Sequence, residues 1–536
     1  MRKVVHLLSV ASVLTLATAL LASPAVAVRD GDAGPRSRVA TRAVVHGRDA
    51  GTSQRRSTSL GVLSQRDRPA GRTSGGTAMP AARAPQATFG FDALTDPDSD
   101  PSDTIGALGD TFFVTAVNTQ VAVFDRAGIA VVAPIQLDVL HPDSTGRFAF
   151  DPKVVYDQYN DTFVLAYLVQ EDAPRLSLIV TVAIPNATAT DTTTWCVTSF
   201  PGDQLPSSPD VWADYPGLGF NHDRVTITTN QFTFPTSSAQ FRYAQVMSIP
   251  KASLYDCTQP APTPDVFAGT QTQDSNGLPA FTLQPAQTVD GNVGQLLVSF
   301  QCFPLSCFNS GTGRDSYLTV WRIKSTATGL KLKKGDVDVG RFTFPPPGTQ
   351  GGGSLTNEAT FWDTGDHRLI NAFYDADANE LFAAHTVFKN FTPDAVTGDY
   401  PEAAVRWYEV SPAARLKNSA LARKGNIGAP EVDLGWPSVA TDGSGNLFVT
   451  YNRAGAPPGE FLSAWVAEIP PGSNTATQVL LEPGLGLHDD VPGIERWGDY
   501  TGINRDPVDP AFVATFNQYA VNASTWQQVV NLVHHV

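Results

Sequence analysis

Beyond residue 27 no apolar run reaches the roughly 18 residues that a spanning helix needs, so no later spanning helix is expected. No cysteine follows the first apolar stretch to carry a lipid. Helical periodicity is nearly absent, apart from a short stretch at 412–423, so the chain does not read as all-α or α/β. Three further absences narrow the chemistry. There is no G-x-S-x-G elbow, no H-E-x-x-H helix and no P-loop. The nine histidines are scattered, and none has an obvious partner in sequence.

Cysteine is scarce. The four are Cys196, Cys257, Cys302 and Cys307. The C-x4-C spacing of the last two has no histidine cluster beside it and is not a zinc knuckle. Four cysteines allow three disulfide connectivities. Cys302–Cys307 and Cys196–Cys257 are the favoured pairs, as structural staples.

What is present begins with Arg2 and Lys3, a mostly apolar run to Leu21 and small residues at Ala25-Val26-Ala27. This is the pattern of a secretory signal over residues 1–27. Export makes disulfides permissible, and a secreted, extracellular, monomeric protein is expected, with no membrane insertion after cleavage. Residues 28–88 are rich in Arg, Ala, Gly, Ser and Thr. Such a segment buries too little surface to offset its conformational entropy, so a disordered leader is expected there. Residues 28–87 hold 11 Arg and no Lys against 4 Asp, so the remainder is more acidic than the whole chain's net charge of −15. A body this acidic repels phosphate backbones and excludes nucleic acid as a partner.

From residue 89 onward, short β-branched and aromatic runs alternate with Gly, Pro, Asn and Asp, the pattern of an all-β chain. One phrase, a short strand, a polar turn and a longer apolar strand, recurs seven times. Its starts are Asp103, Asp151, Asp214, Gln284, Asp366, Gly435 and Asp499, at intervals of 48 to 82 residues. A sandwich has no reason to repeat a phrase; radial repetition requires it. A single β-propeller over residues 89–536 is predicted, with about seven four-stranded blades. Six or eight remain compatible because the fourth repeat is faint. Residues 87–91 and 526–533 are candidates for closing the ring.

The runs PSDTIGALGDTFFVTAVNTQVAVFDRAG, DPKVVYD, WADYPGLGF, TGDHRLINAFY and RWGDYTGINRDPVDP resemble exported bacterial propellers of the sialidase-like, BNR-repeat superfamily. The resemblance spans most of residues 100–520 and implies a propeller without a settled activity. The sequence departs from true sialidases: TDGSGNLF (441–448) misses the Asp-box spacing, and there is no FRIP motif.

Three residue sets are candidate sites. Asp103, Asp151, Asp214, Asp366 and Asp499 precede inner strands and would converge near one rim of the channel. Their repulsion would be relieved by a shared Ca²⁺; alternatively each carboxylate accepts backbone N–H groups and fixes its own turn. The run DPDSDPSD (96–103) is a weaker calcium loop, without the Gly and terminal Glu of an EF-hand. Trp212, Tyr215, Trp436, Trp497 and Tyr500 stand at or beside strand entries, where a ring either stacks on a sugar or packs between blades. A sialidase-type mechanism needs an arginine triad and a Tyr–Glu pair, for which Arg368, Arg453, Arg496, Tyr500 and Glu495 are candidates. The expected function is non-catalytic binding of an extracellular glycan or protein, with a structural cation. The alternative is a sialidase-like hydrolase or lyase at the channel mouth.

Overall fold

The computed structural model describes residues 84–97, 99–205, 210–301, 316–354, 357, 360–391, 402–455 and 459–536, together with the backbone of 41–44. Among these residues the chain forms seven antiparallel four-stranded blades. Their inner strands are Ile105–Leu108, Phe148–Asp157, Val211–Phe220, Gln284–Val289, Ala372–Asp375, Val432–Thr441 and Gly502–Arg505, for blades 1 to 7. Each inner strand neighbours the next around a common axis, and Gly502–Arg505 neighbours Ile105–Leu108. The ring is closed. The inner strands start within a few residues of the seven repeats, including the faint fourth.

Closure uses both ends of the propeller. Blade 7 takes Gly502–Arg505, Phe512–Asn522 and Thr525–His534 from the C-terminal region and Gln86–Asp92 from the N-terminal side. The last pairs antiparallel with Thr525–His534, from Gln86 opposite His534 to Asp92 opposite Val529. This is the expected closure, with six residues of the N-terminal strand paired across it.

The apolar core lies between blades, because a strand's two faces each meet a neighbouring sheet. Ile105, Val114, Phe163 and Val180 pack blades 1 and 2 together. Phe91 and Phe516 of blade 7 pack against Phe113 of blade 1, with ring centroids 5.4 and 6.3 Å away. The inner strand of blade 1 runs so close to blade 7 that a Cβ on Gly106 would sit 2.2 Å from the Phe516 ring. Only glycine fits there.

Within the expected leader, Thr41–Val44 pairs antiparallel with Cys196–Ser199 as a fifth strand on blade 2. An outer strand offers unpaired backbone groups, and a short β-compatible run satisfies them. Residues 28–40 and 45–83 lie outside the described residues. The strand Gln86–Asp92 also crosses the expected boundary at 88/89. Finally, the stretch 412–423 forms a 3₁₀ turn, Leu416–Asn418, and then the outer strand Ala420–Ile427, since the edge of blade 5 outweighs local helical preference. The Cys196–Cys257 disulfide is formed. Cys302 and Cys307 lie outside the described residues.

Candidate functional site: the acidic mouth of the channel

Several inner strands enter through the same irregularity. The pairing register slips between Phe150 and Lys153, between Asp214 and Gly217, and between Gly435 and Ser438. The residue in each slip before the proline has positive φ: Asp151 at 55°, Tyr215 at 50° and Trp436 at 55°. Asp151-Pro152, Tyr215-Pro216 and Trp436-Pro437 are therefore equivalent, and Asp151 corresponds to Tyr215, not to Asp214 as the repeated phrase suggests. A bulge turns a side chain out of the strand's alternation.

The five aspartates do come into one electrostatic neighbourhood, and with them come residues that the sequence pattern did not single out, Lys153 and Asp363. The Asp103 carboxylate accepts the Asp499 N–H at 2.8 Å, and Asp151 accepts the Tyr215 N–H at 3.0 Å. Each of these carboxylates thus fixes the turn of another blade and not of its own. Arg496 donates to both oxygens of Asp499, at 3.0 and 3.1 Å. Arg368 lies 2.8 Å from Asp366 and over the Tyr215 ring at 4.0 Å. The Lys153 ammonium stands 3.1 Å from the centroid of the Tyr500 ring. Lys153, Arg368 and Arg496 supply the positive charge that a shared calcium ion would have brought, so the five aspartates do not form an all-oxygen cage.

Titration follows from this crowding. Burial, then the charge of Asp151, pushes the Asp214 carboxyl up to about 8. Burial and the Asp499 charge raise Asp151 to about 6. Asp103, buried beside Asp499 and Asp151, lies well above the ordinary carboxyl range. Burial pulls Lys153 down to about 7 against the attraction of Asp151, Asp103 and Asp499. For Arg368 and Arg496 burial disfavours the charge, but Asp366 and Asp499 more than offset it.

The aromatic candidates divide. Trp436 and Trp497 are 1 % exposed, Tyr215 2 % and Tyr500 0 %. Trp436 and Trp497 pack in the apolar core, and the Tyr215 and Tyr500 rings, 5.0 Å apart, are covered by Arg368 and Lys153. Trp212 remains half-buried and begins a row of rings. Trp212 and Phe232 have centroids 5.6 Å apart, Phe232 and Phe241 5.8 Å, Phe241 and Phe281 5.0 Å. The row ends at Arg368, whose guanidinium is 5.8 Å from the Phe281 centroid. All four rings keep some exposure. The three phenylalanines come from separate strands and loops and carry no sequence motif.

The sialidase set does not assemble. Arg453 is paired with Glu460 at 3.1 Å and lies over Trp465 at 4.1 Å, away from Arg368 and Arg496. Glu495 faces His488, not Tyr500. Below the mouth, Lys153, Gln284, Gln287 and Asn371 line a narrow cavity with Ile105 and Gly106. At its far end Arg505 joins Asp290, Asp375 and Thr441.

No protein-family model and no curated protein matches the chain, so the sialidase-like resemblance rests on the quoted residues. Among solved structures it is similar to a Dyadobacter fermentans protein of unknown function, at 13 % identity over 72 % of this chain and 94 % of that one, TM-score 0.39. It is also similar to a Fusarium graminearum GH93 α-L-arabinofuranosidase, at 9 % identity over 84 % and 98 %, TM-score 0.37. A Bacillus subtilis arabinanase matches at 13 % identity over 59 % and 96 %, TM-score 0.24.

Proposed function

We propose that this chain is an extracellular propeller that binds a neutral glycan at the acidic mouth of its channel. The observation that carries this reading is the aromatic row from Trp212 to Phe281, ending at Arg368 beside half-buried Asp366 and Asp499. Partly exposed rings offer apolar faces to the C–H faces of sugars, and fixed carboxylates and guanidinium groups accept and donate to hydroxyls. Arg368 and Arg496 are already paired with Asp366 and Asp499, so neither guanidinium is free to take the carboxylate of an anionic sugar such as a sialic acid.

A second reading, hydrolysis, is favoured by one feature. Asp214 stays protonated near neutral pH while Asp499 is held as an ion pair with Arg496, the pairing of an acid with a carboxylate that glycoside cleavage uses.

The test is a glycan array with the full chain, followed by a hydrolysis screen on every glycan bound. Binding to neutral glycans that Trp212→Ala weakens supports the first reading, and product release abolished by Asp214→Asn supports the second. Preference for sialylated or uronic acid glycans, or no glycan bound at all, would overturn both.

A further inference from the structure

The seam where the ring closes holds a cluster that the channel mouth does not use. His488 is 1 % exposed in its side chain and Glu495 0 %, and both come from the loop between blades 6 and 7. Asp100, with 14 % exposure, comes from the segment leading into blade 1. His488 Nδ1 lies 3.0 Å from the Asn522 carbonyl. A carbonyl only accepts, so Nδ1 carries the hydrogen and Nε2 is turned toward the carboxylates. Nε2 is 3.8 Å from Asp100 Oδ1 and 3.8 Å from Glu495 Oε1. Neither separation is a hydrogen bond, and both Nε2 and Glu495 Oε1 are buried without a hydrogen-bond partner.

An imidazolium bridging two carboxylates would draw at least one of them to hydrogen-bonding distance. A metal ion would not. Ligand atoms about 2.1 Å from a tetrahedral ion stand roughly 3.4 Å apart, a small contraction from the observed spacing. The three donor atoms all lie within 4.8 Å of one another. Their supports are those of a held ligand set. Glu495 Oε2 accepts the Asp490 N–H at 2.8 Å, and the His488 backbone exchanges hydrogen bonds with the Gln350 side chain. The Trp497 ring stands edge-on to the imidazole at 5.1 Å.

We propose that Asp100, His488 and Glu495 bind a divalent first-row transition ion, zinc foremost, which staples the segment before blade 1 to the loop before blade 7. One imidazole nitrogen and two carboxylates neutralise a doubly charged ion, and the mixed nitrogen–oxygen set suits zinc better than calcium. The exposed side of Asp100 leaves room for water as a fourth ligand. The staple lies just ahead of Asp103 and Asp499, which already meet across the same seam, so metal binding adds to ring closure.

The test uses the full chain, stripped with EDTA and titrated with zinc chloride, reading metal content by mass spectrometry, affinity by calorimetry and melting temperature. The expected result is one zinc per chain, with a melting temperature raised by about 3 °C or more at saturating metal. Asp100→Asn, a change at the exposed edge, and His488→Gln should each weaken zinc binding by more than the roughly 10–100-fold that a supporting residue costs. His535→Gln, which alters the exposed histidine paired with Glu468, should leave it unchanged. A wild-type chain that takes up no zinc, prefers calcium, or binds zinc equally well after Asp100→Asn would overturn the proposal. If His488→Gln fails to fold, the wild-type stoichiometry and Asp100→Asn still decide it.

Discussion

The Asp103 carboxylate accepts the backbone N–H of Asp499 at 2.8 Å, across 396 residues of chain. It joins blade 1 to blade 7 at the point where the ring could open. Asp103 is fully buried, and its second oxygen has no hydrogen-bond partner. Replacing it by Ala removes the acceptor and leaves a partly buried N–H without one, at a cost of about 1 kcal/mol. Equilibrium urea denaturation would measure this. A change below about 0.5 kcal/mol would mean that the seam does not depend on this contact.

The acidic mouth gives stability a definite pH dependence. Asp214 holds its proton to about pH 8 when folded, against 3.8 for a free aspartate. Between these values the folded state binds more protons than the unfolded one. The contribution is therefore complete below pH 3.8 and is lost as pH rises toward 8. Asp151, raised to about 6, acts in the same direction over the lower part of that range. Lys153, lowered to about 7 from 10.5, acts in reverse between those two values. The melting temperature should fall between pH 5 and pH 7, and Asp214→Asn should flatten that fall. Parallel profiles for variant and wild type would contradict the assignment.

Arg505 is the hub at the other end of the channel. It lies 2.8 Å from Asp290 and 2.8 Å from Asp375, and donates to the Thr441 hydroxyl and carbonyl. One side chain thus ties blades 4, 5, 6 and 7. Arg505→Ala leaves two partly exposed carboxylates without their partner and should cost about 1–3 kcal/mol. Arg505→Lys should recover only part of this, because an ammonium group cannot reproduce the guanidinium fork. Full recovery by Lys in chemical denaturation would show that charge alone matters here.

The Cys196–Cys257 bridge closes a loop with a sequence separation of 61 residues between the outer edge of blade 2 and blade 3. Loop entropy of that length corresponds to about 4 kcal/mol. Replacing both cysteines by Ala should lower stability by that order, and adding reductant to the wild type should reproduce most of the loss. A reductant-insensitive melt would argue against the bridge.

The aromatic row makes a prediction separate from folding. Phe281→Ala and Trp212→Ala remove exposed ring faces and should each weaken a bound neutral glycan about tenfold, as expected for one aromatic contact. Phe281 also faces Arg368, so its loss should be the larger of the two. Affinities unchanged in calorimetry would place the ligand elsewhere.

Much of the architecture was legible in the chain's punctuation. Seven recurrences of a strand-entry phrase correspond to seven blades because each blade meets the same two neighbours. The convergence of Asp103, Asp151, Asp214, Asp366 and Asp499 was legible for the same reason. Their register was not. Asp151 shares its place with Tyr215 and Trp436, a relation signalled only by the proline that follows each, since a bulge shifts pairing without changing the surrounding pattern. Lys153 was hidden by the same bulge, which brings a lysine in a strand otherwise apolar in reading to the Tyr500 ring.

Sequence alone therefore determined the kind of object this is: all-β, radially repeated, closed by its two ends and rich in carboxylates at strand entries. These are local matters, set by alternation, turn residues and repetition. Tertiary structure alone decided which charges meet. Lys153, Arg368 and Arg496 stand among the aspartates, Trp436 and Trp497 are sealed between sheets, and Asp100 faces His488 and Glu495. Such partnerships arise only when distant segments are carried around a ring to one place. There, burial and the neighbouring charges fix what each side chain can do.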